Sequence, residues 1–211
     1  MDAELVLDAK AALGEGPSWN AREGLLYWVD IMSCRVHCFD PETREDRTID
    51  TASRVGAVAP CASGGLVAAL AAGLAFIDIE TGTVSHISDP ESDLPGNRFN
   101  DGKCDPAGRF WAGSCSLGCD VPGAGSLYCM EPDLGVRKVM GNLTISNVLT
   151  WSPDHKPMYF IDTPTSEIWA FDSDISTGAI SHKRVAARIP EAAGYPDGMT
   201  GGREGMLWVA D

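Results

Sequence analysis

Hydrophobic and polar positions alternate over short stretches of this chain, and helical periodicity is hard to find. Apolar runs of a few residues recur from end to end, and each is bounded by Gly, Pro, Asp or Asn. Runs of this length and spacing are typical of β-strands joined by turns, whereas amphipathic helices repeat every three to four residues. The pattern therefore predicts an all-β protein.

Two motifs alternate strictly along the chain. In the first, a glycine or proline opens a short aromatic and aliphatic strand. Its five copies are Gly24–Asp30, Gly65–Leu70, Gly108–Gly113, Pro157–Asp162 and Gly205–Asp211. In the second, a strand ends near an acidic residue and is followed by a turn. Its four copies are Val36–Thr43, Leu74–Gly82, Leu127–Gly135 and Ile168–Gly178.

This repeat predicts a β-propeller. The leading residues of the first motif stand 41, 43, 49 and 48 positions apart, which leaves room for about four short strands in each unit. That period is typical of propeller blades made of four-stranded antiparallel sheets, whereas a β-sandwich has no reason to repeat a two-part motif. We expect the strand that follows the glycine or proline to be an inner strand of its blade.

The repeat covers four full units and the first half of a fifth, so we expect a single domain over residues 1–211 with about four and a half blades. No linker or change of composition divides the chain. Propellers usually protect their strand edges by closing the ring. The sequence therefore predicts either a fragment of a longer propeller or an exposed sheet edge.

Composition and charge exclude several classes of partner. Sixteen basic against thirty acidic residues give a net charge of −14, which repels phosphate backbones and anionic lipid. We therefore expect neither nucleic acid nor a membrane as a partner. No apolar run reaches the length of a membrane span, and the N-terminus is acidic where a signal peptide would be basic. These features predict a cytoplasmic protein.

The seven cysteines form no recognisable metal motif. Cys34 and Cys38, like Cys115 and Cys119, are separated by three residues, and no histidine pair completes a zinc site. We expect them to be small buried thiols. Phosphate-loop, EF-hand and serine-nucleophile signatures also fail in spacing or residue type. Asp172–Gly178, which resembles a calcium loop, is predicted to be a hairpin turn.

Acid and amide side chains stand in equivalent places of successive units. Each lies shortly before the strand-opening Gly or Pro of its unit. They are Glu15, the pair Asn100–Asp101, Asn147 and Asp197. Equivalent positions of successive blades face one axial channel, so these side chains should converge there, where their oxygens would suit a hard divalent cation. Taken singly, each residue is also a good turn-capping residue.

The segments around these residues resemble the SMP-30/gluconolactonase/regucalcin family, which includes luciferin-regenerating enzyme-like proteins. The resemblance runs from about residue 10 to the end and keeps the family's order. The matching segments are Gly14–Trp19, Asn97–Lys103, Ile145–Asn147 with Trp151–Asp154, and Pro196–Met199 with Leu207–Ala210. It implies a six-bladed propeller that hydrolyses sugar lactones with one divalent metal ion in the channel. By that comparison, the last one to two blades are absent here.

Carried over position by position, the resemblance implies that Glu15, Asn147 and Asp197 are the metal ligands and that Asp197 is also the catalytic base. Arg98 and Asn100 match the residues that bind the sugar hydroxyls. We expect a structural, turn-fixing role for Asp101. Oxygen ligands accept Ca, Zn, Mn, Fe or Mg, so the sequence names no metal. It also names neither the particular lactone nor an oligomeric state.

The sequence departs from the family pattern in two places within the matched region. Val148 stands where the family usually has a glycine after the metal-binding asparagine, which predicts a restricted backbone there. The segment Cys115–Gly125 offers no match for a substrate-contacting glutamate that some members have.

Three functions remain open at this point. The first is a metal-dependent lactonase in which water attacks a metal-polarised lactone carbonyl. The second is a regucalcin-like propeller that binds calcium or another ligand without turnover, and the third is an inactive fragment. Turnover alone separates the first two, because the same ligands serve both.

Overall fold

The computed structural model describes residues 4–210 and confirms an almost entirely β structure. Met1 to Ala3, which carry part of the acidic N-terminus, and Asp211, the last residue of the fifth first-motif copy, lie outside the described residues. Apart from strands, two single 3-10 turns occur at Thr163–Thr165 and Glu191–Ala193. Between residues 4 and 210 no helix is long and apolar enough to cross a membrane.

The strands follow one another in groups of four. They are β1 Gly14–Asn20, β2 Leu25–Asp30, β3 Arg35–Phe39, β4 Asp46–Asp50, β5 Val55–Pro60, β6 Leu66–Leu70, β7 Gly73–Ile77, β8 Val84–Ser88, β9 Asn97–Cys104, β10 Phe110–Ser116, β11 Gly125–Met130, β12 Val136–Leu143, β13 Ser146–Trp151, β14 Pro157–Asp162, β15 Glu167–Asp174, β16 Ala179–Arg188, β17 Met199–Gly201 and β18 Leu207–Val209.

Each group of four forms one antiparallel sheet in sequence order, and β17 and β18 form a two-stranded sheet. The prediction of four-stranded antiparallel blades, four and a half of them in residues 4–210, is therefore confirmed. The segment Asp172–Gly178 spans the end of β15 and the turn to β16, as predicted.

The strand nearest the axis is not the one predicted from the first motif. Contacts between neighbouring sheets run from β1 to β5, β5 to β9, β9 to β13 and β13 to β17. The first strand of each sheet is therefore innermost, and the glycine- or proline-led strand is the second. The expectation was wrong because the innermost strands of three sheets carry polar site residues, Glu15 in β1, Asn100 in β9 and Asn147 in β13, and are therefore less apolar in sequence than the second strands.

Four apolar layers hold the sheets face to face. Tyr27 and Leu66 belong to the layer between the first and second sheets, and Phe99 and Leu74 to the layer between the second and third. Trp111 and Phe160 lie between the third and fourth sheets, and Met199 joins the fifth sheet to the fourth. The second, third and fourth sheets are thus covered on both faces by their neighbours, which is how a propeller builds a continuous core.

The glycines of the first motif have a conformational cause. Gly24, Gly65, Gly108 and Gly205 all have positive φ, between 71° and 87°. They end the hairpin turn between the first and second strands, where a left-handed residue is needed and glycine adopts it without strain. In the fourth sheet His155, with φ 60°, takes the left-handed position, which leaves Pro157 free to open β14.

The aspartates that close the first motif also have a structural cause. Asp30 accepts hydrogen bonds from the backbone N–H of Ala12 and Leu13, at 2.9 and 3.0 Å. Asp162 accepts them in the same way from Thr144 and Ile145. Each carboxylate thereby fixes the chain that enters the innermost strand, two to three residues before the channel position.

Candidate metal and substrate site

The candidate site lies on the innermost strands, and a β-bulge marks its position on each of the first four. Strand pairing shifts register between Glu15 and Ser18 in β1, and between Ser146 and Leu149 in β13. In β9 the shift falls at Asn100, which faces no partner residue in β10. A bulge turns a side chain out of the regular alternation. The predicted residues therefore sit where the strands re-aim their side chains.

The second sheet has its bulge at Gly56 and contributes no polar side chain. A Cβ atom at Gly56 would come within 2.4 Å of the backbone oxygen of Asn100. Because β9 packs this closely against β5, only glycine fits, and the sequence accordingly shows no acid or amide in unit two.

A cavity of about 880 Å³ opens at this level of the channel. Glu15 and Asp197 line it from opposite ends of the chain, and Asp101 and Lys103 line it from β9. Its remaining wall is mostly apolar and includes Val148, Met199 and Trp208. The volume is within the range of cavities that take small organic ligands.

The carboxylates in this cavity repel one another. Burial, followed by the charges of Asp197 and Asp101, raises the pKa of Glu15 to about 7. Burial also raises the pKa of Asp101 to about 6, against the opposing effects of the Gly102 N–H and Lys103. Such acids are stabilised in their charged form when a cation is placed between them.

Asn147 has an unused acceptor next to the cavity-lining Val148, although Asn147 is not itself among the residues that line the cavity. Its side chain is buried, its Nδ2 donates to Thr163 Oγ1 at 2.8 Å, and its Oδ1 has no hydrogen-bond partner. Thr163 Oγ1 in turn donates to the carbonyl oxygen of Pro196, next to Asp197. This chain of bonds fixes the amide with its oxygen unpaired. A buried oxygen without a partner is costly unless a ligand supplies one.

The residues thus fit a divalent cation. Two carboxylates, from Glu15 and Asp197, and the amide oxygen of Asn147 are the donors that hard cations prefer. Within residues 4–210 no three His, Cys, Asp or Glu side chains gather closely enough to hold a metal. The predicted set contains only two such residues, and its third donor is an amide.

Arg98 and Asn100 lie behind the cavity wall. Both are buried on β9, and neither is among the residues that line the cavity. Asn100 Nδ2 donates to the Ser146 carbonyl oxygen at 3.2 Å, while the Nε of Arg98 is buried without a partner. The positive charge of Arg98 opposes the rise in the pKa of Glu15.

Comparison with known proteins decides the family. Residues 13–211 match the sequence profile described as "SMP-30/Gluconolactonase/LRE-like region". The chain belongs to this family. A Bacillus subtilis (strain 168) member, provisionally named sugar lactone lactonase YvrE, is 39% identical over 210 residues, which cover 100% of this chain and 72% of the relative. Regucalcin of Xenopus laevis is 38% identical over 213 residues, covering 98% of this chain and 71% of that protein.

The fold is likewise that of the family. The solved structure of a luciferin-regenerating enzyme superposes with a TM-score of 0.90 at 32% identity, covering 94% of this chain and 69% of the other. Family membership and this superposition bear out the resemblance derived from the motifs around Glu15, Arg98, Asn147 and Asp197.

Two cavity residues were misjudged or missed from the sequence. Asp101 fixes no turn: it lies inside β9, only 7% exposed, and its carboxylate lines the cavity. Lys103, two positions later in β9, faces the same cavity and donates to the Met199 carbonyl oxygen at 3.3 Å. Strand alternation through Asp101-Gly-Lys103 would have indicated both side chains.

Val148 departs from the family's usual glycine without backbone strain. It is not among the residues with positive φ, so its backbone is one that a β-branched side chain adopts readily. Its side chain is 5% exposed and packs in the apolar layer with Ile161 and Ile168. The backbone at Val148 is therefore unstrained, and the residue also lines the cavity.

Proposed function

We propose that this chain hydrolyses sugar lactones in the channel cavity, with one divalent cation held by Glu15, Asn147 and Asp197. The observation that carries the proposal is the unpartnered Oδ1 of buried Asn147 beside a cavity lined by mutually repelling carboxylates. Membership in a family that includes gluconolactonases supports the choice of substrate class. Calcium, zinc, manganese, iron and magnesium all suit such oxygen ligands.

Asp197 is the proposed general base. Its carboxylate lines the cavity on the segment that leads into β17, and the backbone N–H of Asp197 donates to the Ala210 carbonyl oxygen at 2.9 Å. In this position it can take the proton of a water molecule that attacks the lactone carbonyl carbon. The ring C–O bond then breaks, the ring oxygen takes a proton, and an open-chain acid leaves. A bound divalent cation supplies Lewis acidity at the carbonyl oxygen.

Arg98 and Asn100 are proposed to orient the sugar hydroxyls. The free Nε of Arg98 is the donor that supports this role, and Asn100 lies at the bulge that turns β9 toward the channel. Holding the substrate in the reactive orientation contributes to catalysis, because the loss of translational and rotational entropy then occurs on binding and not in the chemical step. Lys103, unlike Arg98, lines the cavity itself, and its positive charge suits the carboxylate that hydrolysis releases.

The test is hydrolysis of glucono- and xylono-lactone, followed by proton release and corrected for spontaneous hydrolysis. Chelator-treated protein should be inactive, and one or more of the five metals should restore turnover. Asp197→Ala should lower kcat by about 10² to 10⁴, because it removes the base as well as a ligand. The matched control is Asp154→Ala, which removes an exposed carboxylate that bonds Ser152 and the Lys156 N–H in a turn.

Full turnover by Asp197→Ala would overturn the assignment of the base. A second candidate function is binding of a cation or another ligand without turnover. The unpartnered Asn147 oxygen supports this function equally well, and so does the similarity to regucalcin. This second function predicts that calorimetry detects cation binding to the wild type, lost in Asp197→Ala, while no lactone is hydrolysed with any metal.

A further inference from the structure

A pair of cysteines lies directly against Arg98. Cys115 is buried near the end of β10, and Cys119 is half-buried in the loop that follows. Their Sγ atoms are 3.0 Å apart, and the Nη2 of Arg98 donates to Cys119 Sγ at 3.1 Å. The Cys119 thiol is thus accessible to solvent, and the buried Cys115 thiol is in contact with it.

The loop that carries Cys119 is held in place. Arg54 Nη1 donates to the Leu117 carbonyl oxygen at 2.8 Å. Ser116 Oγ accepts from the N–H groups of Asp120 and Val121, both within 3.1 Å. Cys119 itself has φ 56°, a left-handed conformation that these bonds on either side maintain. The contact of the two sulfur atoms is therefore part of an ordered turn.

Charges around the pair favour an anion on Cys119. The Cys115 thiol donates to Cys119, and Arg98 and Arg54 lie close by, so the pKa of Cys119 is lowered while that of Cys115 is raised. Two acids interact with the pair through their charges: that of Glu91 raises the pKa of Cys115, and Glu15 and Cys119 act on one another. A thiolate beside arginine is the reactive form of cysteine.

The remaining cysteines with a resolved shift have the opposite environment. Burial raises the pKa of the Cys38, Cys61, Cys104 and Cys129 thiols, those of Cys104 and Cys129 to about 12. Such thiols are inert at neutral pH. The prediction of buried thiols is confirmed for Cys115 and Cys129, whereas Cys34, Cys38, Cys61, Cys104 and Cys119 are only half-buried.

We propose that Cys119 and Cys115 form a hydroperoxide-sensitive modification site, with Cys119 as the attacking thiolate and Cys115 as the resolving thiol. The Cys119 sulfur attacks one oxygen of the peroxide, the O–O bond breaks, and sulfenic acid and hydroxide form. The Cys115 sulfur then attacks the sulfenic sulfur, and an S–S bond forms with release of water. The two sulfur atoms together lose two electrons, and the peroxide gains them.

Oxidation would change the partner of Arg98. A disulfide sulfur is neutral, so the Nη2 of Arg98 would lose the anionic acceptor it now has in Cys119. The guanidinium charge would then act more strongly on the channel and on Glu15. An effect on lactone binding rests on the function proposed above, whereas the chemistry of the two thiols does not.

The first experiment measures thiol reactivity in reduced, chelator-treated protein by iodoacetamide labelling and peptide mapping at pH 6. For a thiol with a pKa of roughly 6, about half is thiolate at that pH, against well under 1% for an ordinary thiol of about 8.5. The lower basicity costs about tenfold in intrinsic nucleophilicity. We therefore expect Cys119 to react at least about tenfold faster than Cys61, a half-buried thiol of the same chain.

The second experiment adds hydrogen peroxide at a few equivalents and maps the products after quenching with N-ethylmaleimide. We expect one intrachain disulfide, Cys115–Cys119. Cys115→Ser should instead accumulate sulfenic acid on Cys119, trapped by dimedone, and Cys119→Ser should abolish both products. Cys61→Ser is the matched control and should behave as the wild type. Because Cys115 is buried, Cys115→Ala serves as a second variant, and melting curves establish that each variant folds.

Two results would overturn the proposal. One is a Cys119 labelling rate no higher than that of Cys61 in the folded protein. The other is peroxide oxidation that produces no Cys115–Cys119 disulfide, or that joins other cysteines first. Neither readout depends on lactone turnover, so failure of this site and failure of the lactonase assignment are distinguishable.

Discussion

This protein has two buried charged regions, one around Arg109 and one in the channel. They differ in pairing, because the charges around Arg109 all have partners. Between the third and fourth sheets, Arg109 donates to Asp105, to Glu131 and to the carbonyl oxygens of Ile175 and Ser176, at 2.7 to 3.0 Å. Arg137 adds a bond to Glu131 at 3.3 Å. Two cations thus face two acids, and each nitrogen of the Arg109 guanidinium group has a partner.

The channel site has the opposite character. Glu15, Asp101 and Asp197 bring three acids to one cavity, where Lys103 is the cation in the lining, and the oxygen of Asn147 has no partner. Of the buried side-chain N and O atoms without partners in residues 4–210, those of Arg98, Ser146 and Asn147 all lie on the innermost strands β9 and β13.

The difference separates two uses of buried charge. A paired network fixes how sheets pack, because breaking it leaves an uncompensated charge. An unpaired set raises the free energy of the empty site and lowers it again when a ligand of the right charge binds. The Arg109 network is therefore structural, and the channel set is organised for a ligand. The following experiments test that division.

The largest effect on stability should come from the paired region. Arg109→Met keeps an unbranched apolar stem but leaves Asp105, whose side chain is 1% exposed, without its cation. We expect the free energy of unfolding to fall by about 3–5 kcal/mol. Denaturant unfolding measures this, and cation affinity per folded molecule should be unchanged. A loss below about 1 kcal/mol would show that the network does not join the two sheets.

A divalent cation should stabilise the channel region by a smaller amount. A ligand at a hundred times its Kd adds about 2.7 kcal/mol to the free energy of unfolding. The melting temperature of chelator-treated protein should therefore rise by roughly 5–10 °C on saturation. Asp197→Ala should lose this shift and Asp154→Ala should keep it. An equal shift in both variants would place the cation elsewhere.

The acidity of the channel should also appear in the pH dependence of stability. Asp101 has its pKa raised from 3.8 to about 6, so the folded protein holds this proton at pH values where the unfolded chain has released it. The free energy of unfolding of the cation-free protein should therefore fall as pH rises from about 4 to 6, by on the order of 2 kcal/mol. Asp101→Asn should flatten this part of the curve, and identical curves would contradict the assignment.

The blades and the channel were predicted from the sequence, whereas the Arg109 network was not. The two alternating motifs predicted the blades, and the positions of Glu15, Asn147 and Asp197 relative to them predicted a common channel. Which strand is innermost could not be read from the motifs, because hydropathy reports burial and not distance from the axis. Asp101 was misjudged because it was interpreted as a turn residue, whereas alternation along β9 places Asp101 and Lys103 on one face of a strand.

The pairing of Cys115 with Cys119 and Arg98 was also beyond sequence reasoning. The three-residue spacing was noted, but the approach of Arg98 from β9 depends on how β9 and β10 align around their bulge. Gly56 shows the converse: its bulge explains afterwards why unit two lacks a polar residue. A sequence pattern can predict a site residue where a strand contributes a polar side chain. It gives no such signal where the strand contributes a glycine that only makes room for its neighbour.

The variant with the smallest expected change in stability, Asn147→Ala, gives the most direct test of the difference between the two regions. Asn147→Ala removes one hydrogen bond, from Nδ2 to Thr163, together with an oxygen that has no partner. The free energy of unfolding should therefore fall by only about 1 kcal/mol although the residue is buried. The affinity for the divalent cation should nevertheless fall by at least about tenfold, measured by calorimetry, because a ligand is lost.

Asn97→Ala is the matched control for that variant. The Nδ2 of Asn97 donates to Glu91 at 3.1 Å and to the Ala124 carbonyl oxygen at 2.9 Å, outside the cavity. Its removal leaves acceptors unpaired and should cost about 1–3 kcal/mol of stability while cation affinity stays the same. The Asn97 amide would thus contribute mainly to stability and the Asn147 amide mainly to cation binding. If Asn147→Ala bound the cation with wild-type affinity, the unpaired oxygen of Asn147 would not be a cation ligand. The proposed difference between the channel site and the Arg109 network would then be contradicted.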